Sequence, residues 1–185
     1  GAPGAYNLAT GAGAGFIYSK NDFNISASYL SNNGNESNPK SGGLANDGAG
    51  SNGTVQISYA PEQWGIAAAY NYGSTDNNDV GLYSGNGTPY ANTLQKYGVT
   101  NSAALSAWWM PSESGLIPSI SAGWGINSTG DSSPYGTNPI KSSTSQSWYV
   151  GLQWDDAFLD GNALGFAVGQ PTFVTSIDKR NSDDN

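Results

Sequence analysis

Four oxygen-bearing side chains crowd one short stretch: Asp155, Asp156, Asp160 and Asn162. Hard oxygen donors so close together could hold Ca²⁺. The same residues suit a solvated turn, where Asp and Asn side chains fold back onto their own backbone, and that reading needs no metal. A second stretch, Asp76-Asn77-Asn78-Asp79-Val80-Gly81, resembles a calcium-binding loop at its start only. Its fifth position is Val80 and its twelfth is Gly87, where such a loop needs an oxygen ligand and a Glu. No metal and no cofactor is expected.

Other chemistry is closed off by what the chain lacks. It has no His and no Cys. That removes the usual near-neutral proton carrier and the commonest metal ligand, and with them any disulfide or thiolate nucleophile. No nucleophile–base pair, carboxylate dyad or phosphate-cradling loop emerges, and Gly11–Gly15 has no helix after it. The chain is not expected to be an enzyme. Its net charge of -8 argues against nucleic acid, whose phosphates need Lys and Arg clusters. Asn-x-Ser/Thr occurs at Asn24, Asn35, Asn52, Asn86 and Asn127, which chance explains in a chain rich in Asn, Ser and Thr.

What remains informative is alternation. Phe23, Ile25, Ala27 and Tyr29 alternate with Asn24, Ser26 and Ser28. Trp64, Ile66, Ala68, Tyr70 and Tyr72 alternate with Gly65, Ala67, Ala69 and Asn71. Trp148, Val150, Leu152 and Trp154 do the same against Tyr149, Gly151 and Gln153. Successive side chains of a strand point to opposite faces, so each segment carries one apolar face and one small, polar face. Charged residues fall between the segments or at their ends. A wet face of a soluble sheet tolerates Lys and Glu. A sheet against hydrocarbon excludes them, because a charge at the bilayer midplane costs roughly 2–4 kcal/mol.

Eight such segments are expected: about Gly11–Ser19, Asp22–Ser31, Gly53–Ala60, Trp64–Gly73, Tyr97–Met110, Leu116–Asn127, Gln146–Trp154 and Ala163–Gln170. The tail from Pro171 reads as the start of a further polar loop. Tight and long connections alternate, which puts every tight turn at one end of the sheet. That is the asymmetry of up-and-down outer-membrane barrels. Aromatic residues on the apolar faces form two girdles. Tyr18, Phe23, Tyr59, Trp64, Trp109 and Trp154 lie near the tight turns, and Tyr29, Tyr70, Tyr72, Trp124 and Trp148 near the long loops. Trp and Tyr favour a membrane–water interface; large rings also fill soluble β cores.

The other face predicts a lumen lined by Asn24, Ser26, Ser28, Gln56, Ser58, Asn71, Thr100, Ser102, Ser106, Ser119, Ser121 and Gln153. These are too small to fill a closed eight-stranded barrel. The expected fold is therefore an all-β, antiparallel, up-and-down transmembrane β-barrel. Residues 1–185 form a single domain of it, with about eight strands of a wall of about 16. The long loops carry Glu36, Asp47, Asp76, Asp79 and Asp131 against Lys40, Lys96 and Lys141. That bias gives either a mild cation preference at the pore mouth or mere solubility.

The runs Gly13-Ala14-Gly15-Phe16-Ile17-Tyr18-Ser19, Ser106-Ala107-Trp108-Trp109-Met110-Pro111 and above all 148–171, from Trp148-Tyr149-Val150-Gly151 to Val168-Gly169-Gln170-Pro171, carry a resemblance. The chain resembles the cyanobacterial outer-membrane porins that join an S-layer-homology domain to a carbohydrate-selective-porin-type barrel, also described as iron uptake porins. The resemblance implies passive diffusion of small hydrophilic solutes and inorganic ions, contact with outer-membrane lipid, and a monomer or homotrimer. It implies no catalytic residues. The S-layer-homology domain and the remaining strands of that family are not among these residues, so the chain reads as a piece of a longer one. Two rival readings stay open: a small closed barrel with adhesive loops, and a secreted β-sandwich that binds sugars through exposed Trp and Tyr.

Overall fold

The computed structural model describes residues 12–31, 34–44, 50–75, 87–94, 98–113, 115–130 and 140–179. Eight strands run in chain order: β1 (Ala12–Lys20), β2 (Phe23–Ser31), β3 (Ser51–Tyr59), β4 (Trp64–Thr75), β5 (Gly98–Trp109), β6 (Ser119–Gly130), β7 (Ile140–Asp155) and β8 (Ala163–Lys179). One short helix, α1 (Pro89–Leu94), lies between β4 and β5. All eight strands belong to one sheet in sequence order, and every neighbouring pair is antiparallel. β1 and β8 are its two edges, so the sheet is open. No second sheet packs on it among the described residues, which leaves a two-sheet sandwich without its other half.

Local chemistry explains the joints. The β1–β2 connection is the two-residue turn Asn21-Asp22, with Lys20 paired to Phe23. Asn21 takes φ 52, a left-handed conformation that Asn tolerates better than most residues. Across the β3–β4 turn, the rings of Tyr59 and Trp64 meet edge to face, with centroids 5.5 Å apart.

Three boundary differences from the sequence expectation are informative, while most other strand ends shift by one to three residues. β6 begins at Ser119 rather than Leu116, because Pro118 offers no N–H to the ladder. β7 begins at Ile140 rather than Gln146. Its early residues are Ser and Thr, whose polarity reads as loop but whose neighbours on β6 and β8 supply backbone partners. β8 does not stop at Gln170 but passes Pro171 and continues to Lys179. The ladder shifts register between Gln146 and Trp148 opposite this point. A proline is tolerated at a bulge or on an edge strand, where no ladder bond is lost. Finally, α1 stands within the stretch expected to be plain loop.

Strand pairing aligns the apolar residues into same-face rungs, each two residues from the next. One rung runs Phe23, Tyr59, Ile66, Ala107, Ala122, Val150, Val168. Measured from it, the margin of the apolar face nearest the tight turns drifts steadily. Tyr18 lies one rung toward the long loops, Trp64 and Trp109 one rung toward the turns, and Trp154 and Leu164 two rungs. The opposite margin drifts the same way. Tyr29 and Tyr72 lie three rungs above the reference and Trp124 and Trp148 only one. An apolar belt that slides along successive strands is level only when the strands are tilted to it.

Candidate functional site: the two faces of the sheet

The burial of this sheet is the reverse of a soluble domain. Among the described residues the buried apolar side chains are Ala91 and Ala104. The buried polar ones include Asn52, Asn71, Thr100, Ser102, Asn127, Thr129, Ser143, Ser145, Ser147 and Thr172. Ile57, Ile66, Leu105, Val150, Phe166 and Val168 are exposed. Apolar side chains gain roughly 1.5–3 kcal/mol each from leaving water, and among the described residues this face leaves its large ones uncovered.

The polar face gathers all twelve residues that the alternation assigns to one side. Pairing places Asn24 beside Ser58, Ser26 beside Gln56, Asn71 beside Ser102, and Ser119 beside Gln153. Ser28 joins Asn71 through Thr54, while Ser106, Ser121 and Thr100 hold the same parity along β5 and β6. Near the long-loop end these side chains bond to one another. Asn71 donates to Asn52 Oδ1 at 3.0 Å and to Thr54 Oγ1 at 2.6 Å, and Asn52 donates back to Asn71 Oδ1 at 3.2 Å. Thr100 and Thr129 share a hydrogen bond at 2.8 Å, and Asn127 donates to Ser145 at 3.2 Å. Three buried atoms, Ser102 Oγ, Asn127 Oδ1 and Ser147 Oγ, have no protein partner. Unpaired buried oxygens cost roughly 1–3 kcal/mol each, so these three have hydrogen-bonding capacity to spare.

Sequence reasoning missed Trp108, Ile17 and Leu30 here, while Tyr149 stands on the side that its alternation assigned. Trp108 and Tyr149 point to the polar face, each paired directly with a glycine: Gly65 and Gly123. Their rings lie where a Cβ on those glycines would stand. For Trp108 the signal was available in parity, since it is out of phase with Trp109. Ile17 and Leu30 also share this face and interrupt its polarity near the β1 edge. Below Trp108, at the tight-turn end, Ser119, Ser121, Gln153 and Asp155 line a cleft of about 500 Å³.

On the apolar face, all eleven girdle residues fall on one side, and all but Trp154 are well exposed. Their polar tips follow a rule. Tyr29 Oη shares a hydrogen bond with Ser51 at 3.0 Å, Tyr70 Oη donates to Asn101, and Trp124 Nε1 donates to Gln146 at 3.2 Å. Each partner sits one rung nearer the long loops. Trp154 Nε1 donates the other way, to the Leu116 carbonyl in the β5–β6 turn, at 3.0 Å. Every such tip points away from the middle of the belt.

The β4–β5 connection does not stay above its own strands. Its helix α1 packs against β7 and β8. Thr88 N–H donates to the Thr172 carbonyl at 2.8 Å, and Gly87 pairs with Thr172 as a parallel bridge. Thr172, which takes these bonds, is buried, while Phe173 beside it, paired with Gln146 of the apolar face, is only half-buried, so the contact at this end lies on the polar side of β8.

The Asp cluster is tied into its own turn. Gly161 N–H donates to Asp156 Oδ1 at 2.8 Å, and Gln153 donates to Asp155 Oδ1 at 2.8 Å. Among the described residues no group of acids is placed to hold a metal ion. Asn24 stands within β2, Asn52 in β3 and Asn127 in β6. Asn86, Asp47, Asp76, Asp79, Lys96 and Asp131 lie outside the described residues. Among the described residues no helix is long and apolar enough to cross a membrane, which says nothing about strands. Compared with family models, curated proteins and solved structures, the chain matches none.

Proposed function

We propose that this sheet is part of the wall of an outer-membrane porin, its apolar face against lipid and its polar face lining a water-filled channel for small hydrophilic solutes and inorganic ions. One observation carries the reading: the two faces are inverted, with bulky apolar side chains outside and Asn, Ser and Thr inside. Three features support it. The belt drifts as tilted strands require. From Trp64 to Tyr72 it extends along β4 about 26 Å at ~3.3 Å per residue, roughly 20 Å once tilted by ~40°. The Tyr and Trp tips reach for polar partners at both margins, as interfacial aromatics do.

The open edges favour a wall larger than eight strands over a small closed barrel. β1, and β8 away from its bridge to Gly87, would join further antiparallel strands, giving about 16 in all, with a monomer or homotrimer as the assembly. The resemblance to cyanobacterial porins agrees with this reading and supports an outer-membrane location.

The test is detergent extraction of the outer-membrane fraction, heat-modifiable gel mobility, and unit conductance in planar bilayers. Conducting, heat-modifiable protein is expected. Protein that stays in the aqueous fraction and conducts nothing defeats the proposal. The chain has no Cys, so single cysteines along β3 give a finer check. A membrane-impermeant maleimide should label positions 54, 56 and 58 and spare 55 and 57.

A further inference from the structure

We propose that the segment Gly87–Leu94 is a strap that narrows this channel, clasped to β8 at Thr172; the inference rests on the porin reading above. β4 and β5 are hydrogen-bonded neighbours, and a short hairpin would have joined them. The chain instead reaches β7 and β8. Since β8 lies three strands beyond β5, this is about 14 Å across the sheet at ~4.8 Å per strand.

The strap is fixed at both levels of structure. Its backbone is held by the Thr88 N–H bond to the Thr172 carbonyl and the Gly87–Thr172 bridge. Its first helical turn is capped by Thr88, whose Oγ1 accepts from Ala91 N–H at 3.3 Å, as an N-cap residue should. Ala91 is fully buried while Tyr90 is exposed. The clasp point is also where β8 carries Pro171 and the ladder shifts register. Such irregularities re-aim a strand edge locally, and here the edge receives the strap.

The chemistry of the narrow point follows. The helix has no acidic residue in its first turn and no basic residue in its last. Ser143, Ser145, Ser147 and Thr172, on the wall beside it, are neutral. A constriction built from hydroxyls, amides and backbone dipoles sorts solutes by size, not by sign of charge.

The test is unit conductance, polymer exclusion and reversal potential of the native protein in planar bilayers, against two variants. In one, Gly87–Leu94 is replaced by a short Gly-Ser linker. In the other, Thr88→Pro removes the clasp donor. Both should raise conductance about two- to threefold and admit larger polyethylene glycols, because flow follows the narrowest cross-section. Reversal potentials should not move. If the native protein conducts and the heat-modifiable deletion variant conducts no better, the strap is not the constriction and the porin reading survives. If the deletion variant does not assemble, Thr88→Pro decides alone: a rise supports the strap and an unchanged conductance sinks it. A native protein that does not conduct removes both proposals together.

Discussion

The indole N–H of Trp124 donates to Oε1 of Gln146 across the β6–β7 ladder, and Gln146 stands one rung nearer the long-loop end. Its ring meanwhile stays exposed on the apolar face. An indole that is apolar along its body and bonded at one tip marks a boundary between two media. Trp124→Phe keeps the body and removes the tip. It should cost about 0.5–1.5 kcal/mol, the net worth of one hydrogen bond. Gln146→Leu should cost a similar amount, and the double variant little more than either alone. Urea unfolding in lipid vesicles measures all three. Additive losses would show that the two residues do not act together.

Parity gives a sharper contrast. Ile57 and Gln56 are chain neighbours on β3, both exposed, on opposite faces. Ile57→Lys should cost roughly 2–4 kcal/mol by placing a charge against hydrocarbon. Gln56→Lys should cost less than ~0.5 kcal/mol, as surface changes usually do. Equal costs would mean that both faces meet the same solvent.

Glycines of the sheet divide by what lies over them. Gly123 sits under the Tyr149 ring, and an added Cβ would collide with it. Gly53, on the apolar face, has nothing within 4 Å of where its Cβ would stand. Gly123→Val should therefore destabilise by about 1–3 kcal/mol, as overpacking does, whereas Gly53→Val should fall within ~0.5 kcal/mol of the parent. The comparison is read from heat-modifiable mobility and urea midpoints.

These pairs also show what sequence could and could not reveal. The faces of β2, β3 and β4 were legible, because a period of two with no charge in phase admits one assignment. Asn24, Ser26, Ser28, Gln56, Ser58 and Asn71 fall opposite Phe23, Tyr29, Tyr59, Trp64, Tyr70 and Tyr72 for that reason. The extra length of β7 and β8 was not legible. Ser142–Ser145 and Thr172–Ser176 resemble loop in composition, and only pairing with each other supplies their backbone partners. Nor was the strap. Pro89-Tyr90-Ala91 has weak helical character of its own, and its position depends on Thr172, some 80 residues away. Trp108 was hidden by Trp109 beside it, which dominates the apolar count, whereas Tyr149 was read on its side from the alternation of β7.

Within the polar face, the Asn52–Asn71–Thr54 cluster is the most tightly bonded group described. Asn71→Leu removes three bonds and leaves the buried Asn52 side chain short of partners. A loss of about 1–3 kcal/mol is expected. Asn52→Leu on top of it should add little, since the pair fails together. A double-variant cycle that shows no coupling would contradict the geometry.

Charge selectivity should originate at the tight-turn mouth. Asp22, Glu62, Glu113, Asp155, Asp156 and Asp160 stand in or beside the tight turns, against Lys20 alone. Along β7 the polar face carries no charge between Asp155 at its tight-turn rim and Lys141 at the far end of the strand. An acidic mouth concentrates cations by its summed field, and that field is screened within about 10 Å at 0.1 M salt and about 3 Å at 1 M. Reversal potentials should therefore show cation preference at low ionic strength that fades as salt rises. Replacing Asp156 and Asp160 by Asn should weaken it without changing unit conductance at high salt. Anion preference, or a preference indifferent to salt, would place the selective charge inside the channel instead of at its rim.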